Sequence, residues 1–157
     1  MELPNFTIGS AVGDHLRFKL LEIELPEHEG FTFFSAAISV RCDGFISPER
    51  PCLFLRDMFD GFLVALTSFE VSRVGRATLE SLPSSGFTLT IASDKPTECP
   101  VVFGTVTGPC FTGRQSDCLP DHFSGELKFA FELDSGMVGQ LLRNFGCLLG
   151  KTATPLK

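Results

Sequence analysis

The chain has 157 residues, a formal charge of −6, 43% hydrophobic and 20% charged residues, and 17 Phe with neither Trp nor Tyr. That length suits one domain burying roughly two-thirds of its unfolded surface, and burying the rings alone removes on the order of 2,500 Å² of apolar area from water, which excludes intrinsic disorder. No cluster of Lys and Arg offers the counterion release that duplex binding requires, and no apolar run approaches the roughly 18 residues of a membrane-spanning helix.

In chain order, Asn5 to Gly9 suits a short first strand and His15 to Leu25 a second. In the second, Leu16, Phe18 and Leu20 share one parity, and Arg17, Lys19, Leu21 and Ile23 the other. Glu22 and Glu24 stand together, about 7 Å apart, opposite Ile23. Phe31 to Cys42 alternates as a third strand, paired with the second through the acidic loop Glu27-His28-Glu29.

After Pro48 and Pro51 the period changes. Leu55, Met58, Phe59, Phe62, Leu63, Leu66 and Phe69 recur at helical spacing, which predicts a helix over 55–70 with Asp57 near its positive end. Short strands follow at Arg76 to Leu82, Gly86 to Ala92 and Pro100 to Thr107. Gly108 to Pro120 reads as an irregular loop, and His122 to Leu133 as a long alternating strand. Asp134 or Ser135 caps a second helix over 135–149, striped by Met137, Val138, Leu141, Leu142, Phe145, Leu148 and Leu149, and Gly150 stops it. The expectation is an α+β domain over 1–150 with one antiparallel sheet of about six to seven strands and two helices, and a polar tail over 151–157.

Chemistry leaves little mark. There is no Gly-x-Ser-x-Gly elbow, and the glycines between Gly104 and Gly113 fit neither phosphate-binding fingerprint. His15, His28 and His122 stand at strand ends or in a charged turn. The cysteines at 42, 52, 99, 110, 118 and 147 show no two-residue gap, so they read as free thiols without a metal site, and no cofactor is implied. The start of the chain lacks a basic stretch followed by an apolar block, so a cytosolic location is expected. Glu22 with Glu24, or Asp57 with Asp60, could serve a glycosidase. As solvated faces they suit a basic protein partner better, and Glu22, Glu24, Glu27, Glu29, Asp57 and Asp60 are the candidate contact residues. The acid excess lies within residues 1–100, in agreement with that reading.

The order of parts adds a resemblance. Strands lead into Leu55-Arg56-Asp57-Met58-Phe59-Asp60-Gly61-Phe62-Leu63-Val64-Ala65-Leu66. Then come Ala77-Thr78-Leu79-Glu80-Ser81, Phe87-Thr88-Leu89-Thr90-Ile91 and Val101-Val102-Phe103-Gly104-Thr105-Val106. Leu127-Lys128-Phe129-Ala130-Phe131-Glu132-Leu133-Asp134-Ser135 then precedes the last helix. Over about residues 35–149 this pattern resembles the WapI-type family of bacterial immunity proteins, small cytosolic α+β domains encoded beside polymorphic toxins. The chain differs in having no Trp or Tyr and in its cysteine-bearing 108–120 loop. The resemblance implies inhibition by direct binding of a cognate toxin domain, with no catalytic residues. The other expectation is a small-molecule or lipid-binding module with a Phe-rich pocket.

Overall fold

The computed structural model describes residues 5–9, 13–24, 33–42, 44–47, 49–82, 86–109, 124–134 and 136–150. Among these are nine strands and two helices: β1 (Asn5–Gly9), β2 (His15–Glu24), β3 (Phe33–Cys42), β4 (Phe45–Ile46), β5 (Arg50–Leu55), α1 (Arg56–Ser72), β6 (Gly75–Glu80), β7 (Phe87–Ser93), β8 (Val101–Pro109), β9 (Ser124–Glu132) and α2 (Met137–Gly150). The class is α+β, but the strands form two antiparallel sheets instead of one of six to seven strands. The first sheet runs β1-β2-β3, with β4 and β5 on the far edge of β3. The second is the meander β6-β7-β8-β9. α1 is inserted between β5 and β6 and separates the two meanders in the chain.

Residues 45–55 supply two strands absent from the expected elements. β4 pairs with Arg41 and Cys42, and β5 with Phe33 to Ile38, along the same edge of β3. Pro51 sits in β5 opposite Ala37. A residue with no N–H is tolerated on such an edge strand, which is why the proline does not end the sheet. Between the two strands Ser47 keeps the ladder satisfied. Its N–H donates to the Val40 carbonyl at 2.8 Å, and its Oγ accepts the Val40 N–H at 2.9 Å. Ser47 is buried. Ser47→Ala strands the Val40 N–H in the core, so urea unfolding should show a loss of about 1–2 kcal/mol.

β2 carries a bulge. Leu20 pairs with Ala36 and Glu22 with Ser35, which leaves Leu21 as the extra residue. Strict alternation fails there. The position opposite buried Phe34 falls to Ile23, and Leu21 is 37% exposed.

Both sheets and both helices contribute to a single core. The buried side of α1 is Phe59, Phe62, Leu66 and Phe69, as the spacing predicted, although Met58 reaches the surface and Leu55 is the N-cap. The second sheet alternates as expected: Ala77, Leu79, Phe87, Leu89, Ile91, Val102, Val106, Phe129 and Phe131 are buried. On its other face the hydroxyls of Thr78 and Thr90 are 3.0 Å apart, and those of Thr88 and Thr105 2.9 Å. Rings from β1, β2, β3, β5, α1, β7 and α2 meet in one aromatic cluster. Phe59 touches Phe18, Phe34, Phe54, Phe62 and Phe145, mostly edge to face, with centroids 4.4 to 6.3 Å apart.

The helix ends follow local chemistry. Asp134 accepts the Gly136 N–H at 3.0 Å ahead of α2, and Arg73 closes α1 in the left-handed region with its N–H on the Phe69 carbonyl. Besides ring contacts such as Phe54 with Phe87, hydrogen bonds tie the two sheets together. The Leu82 N–H donates to the Leu53 carbonyl at 2.9 Å, and the Cys42 thiol to the Ala130 carbonyl at 3.4 Å.

Candidate functional site

The register decides which of the candidate carboxylates meet. Glu24 pairs with Phe33, and Phe33 with Leu55, the residue directly before α1. Glu22 pairs with Ser35, and Ser35 with Leu53. With strands about 4.8 Å apart, the backbone of Glu24 lies about 10 Å from the start of α1. Two acidic positions of β2 and the start of α1, with Asp57 in its first turn and Asp60 just beyond it, therefore share one end of the first sheet. Sequence spacing could not show this, because the three rows depend on pairing between strands far apart in the chain. Glu27 and Glu29 lie outside the described residues.

Asp57 is exposed in the first helical turn, where the free backbone N–H groups favour a carboxylate. α1 has no side-chain cap at Leu55, so that charge is the local support of its amino end. Asp60 sits 3.8 Å from the Arg56 Nε. The pair is partly exposed on both sides and contributes little to stability. Glycoside cleavage needs two carboxylates flanking a bound sugar across a cleft. Asp57 and Asp60 instead stand side by side on an open helical surface, a geometry suited to contact.

Among the histidines, His15 donates from Nδ1 to the Gly13 carbonyl at 2.8 Å and braces the turn before β2. His28 and His122 lie outside the described residues. Cys42 and Cys52 are buried and Cys99 is exposed; Cys110 and Cys118 fall outside the described residues, as does the side chain of Cys147. Among the described residues no three His, Cys, Asp or Glu side chains gather as metal ligands, and no helix is long and apolar enough to cross a membrane.

A pocket of about 200 Å³ opens elsewhere, against the outer face of the second sheet. Ala92, Val101 and Phe103 form its apolar part, and Arg76, Asp94, Glu98 and Cys99 its polar part. It lies below the roughly 300–1,000 Å³ typical of small-molecule sites. Its residues come from three strands and a loop, with no local pattern to mark them. It is separate from the aromatic cluster, whose rings are packed against one another instead of lining a space. No protein-family model, no curated protein and no solved structure matches the chain.

Proposed function

We propose that this chain is a non-enzymatic cytosolic immunity protein that neutralises a toxin domain by binding and covering it. One observation carries the reading: the register brings the backbone positions of Glu22 and Glu24 to the end of the first sheet from which α1, with Asp57 and Asp60, departs. Gathered negative charge speeds encounter with a basic partner and fixes its orientation. Many toxin domains that act on nucleic acid are basic, so the charge suits that class. The resemblance to the WapI-type immunity proteins points the same way. Among the described residues less supports the ligand-binding alternative: the clustered rings pack against one another, and the pocket of about 200 Å³ on the second sheet is small for a lipid or cofactor.

The test is co-expression with the product of the immediately upstream reading frame, followed by size-exclusion chromatography. A 1:1 complex and relief of that product's toxicity are expected. Separate elution without protection overturns the reading.

A further inference from the structure

α1 has two faces of different character. Its buried side, Phe59, Phe62, Leu66 and Phe69, is accounted for by the core. Its opposite side exposes Asp57, Asp60, Gly61, Val64, Thr67, Ser68 and Val71. Val64 is 68% and Val71 83% exposed, and Val74, just past the helix end, is 41% exposed. Asp57, Val64 and Val71 are seven residues apart, as are Asp60 and Thr67, so these form one ridge along the helix, and Val74 follows just past the left-handed cap at Arg73. Valine is a poorer helix former than alanine or lysine, so helix formation does not call for it at solvent-facing positions. The hydroxyl of Thr67 already donates to the Leu63 carbonyl at 2.7 Å, and that of Ser72 bonds the Ser68 and Val74 carbonyls. The carboxyl-terminal two-thirds of the ridge therefore offers a partner mainly apolar surface, and its amino-terminal third offers carboxylates. The cations of the helix and its cap, Arg56 and Arg73, are drawn toward Asp60 and Glu70.

We propose that this outer face of α1 is the docking surface for the toxin domain. The partner that fits presents a shallow apolar groove for Val64, Thr67, Val71 and Val74, with Lys or Arg at the end that meets Asp57 and Asp60. The proposal rests on the immunity reading and names its surface. The helix is about 25 Å long and 10 Å wide, so the ridge supplies roughly 250 Å² of the ~800 Å² that each partner contributes to a standard interface. It is the centre of the contact, where a few desolvated side chains dominate affinity.

The test is calorimetric titration with the purified product of the upstream reading frame, using the unaltered chain, Val64→Glu/Val71→Glu, Val64→Ala/Val71→Ala, and Lys128→Glu on β9. The glutamate pair should weaken binding at least about thirtyfold. The alanine pair should weaken it about tenfold while raising resistance to urea, which separates lost contact from lost folding. Lys128→Glu should bind within about twofold of the unaltered chain. Binding by both valine pairs within about threefold of the unaltered chain overturns the α1 face and leaves the immunity reading standing. No binding by the unaltered chain overturns both.

Discussion

Phe59→Ala should lower unfolding free energy by about 3–5 kcal/mol, the largest loss expected from any single truncation in α1. Phe59 is fully buried and touches five other rings contributed by β2, β3, β5, α1 and α2. Removing it leaves a cavity bounded by rings that are each held by further neighbours, so the site cannot close by moving one side chain. Urea unfolding followed by far-ultraviolet circular dichroism checks it. The midpoint should fall while the slope holds, because the loss lies in the native state and the surface exposed on unfolding is nearly unchanged. Against a total of about 5–15 kcal/mol for a domain, such a loss is a large share of the whole. A loss below about 1 kcal/mol would show instead that the cluster repacks.

The second large effect belongs to a glycine. Gly104 in β8 pairs with Leu89 on one side and Phe129 on the other. A Cβ built there runs into the carbonyl oxygen of Thr88 and comes within 2.9 Å of Phe129 Cζ. The obstacle is β7's own backbone, which cannot rotate away as a side-chain tip can. Gly104→Ala must separate β7 from β8 or displace the ring, with an expected loss of about 3 kcal/mol. The contrasting change is Gly61→Ala. A Cβ on that exposed helical residue meets nothing within 4 Å, and the replacement should raise stability by about 0.5–1 kcal/mol. The same unfolding series measures both, and equal losses would contradict the packing described for β8.

Periodicity made the helices and the second sheet legible. Phe59, Phe62, Leu66 and Phe69 declare a buried helical side, and the alternation through Leu79, Leu89, Ile91 and Phe131 declares strand faces, because each signal is local. What escaped was non-local or broke a local rule. Pro51 hid β5, since a proline argues against a strand until the strand is known to lie at an edge. The bulge at Leu21 reversed the phase of β2, so Glu22 and Glu24 could not be placed by counting residues. Nothing in the residues themselves told one sheet from two. Of the candidate site, the position of Asp57 in a first helical turn was readable. Its nearness to the end of β2 was not, since it depends on the pairing of β2, β3 and β5. The exposed valines of α1 were missed for another reason: a search for one apolar stripe stops when it finds the buried one.

The aromatic cluster also bears on how the chain reaches this state. Phe6 in β1 and Phe145 in α2 lie 4.8 Å apart, ring centre to ring centre, and Phe145 contacts Phe18, Phe59 and Phe62 as well. The first strand and the last helix are thus direct neighbours, separated by nearly the whole described sequence. Closing so long a loop costs chain entropy before the contact is made, and topologies rich in distant pairings fold slowly. During synthesis the first sheet emerges long before Phe145 exists to cover Phe6 and Phe18. Until α2 leaves the ribosome, the growing chain carries an open ring surface of the kind that chaperones bind and that aggregates recruit.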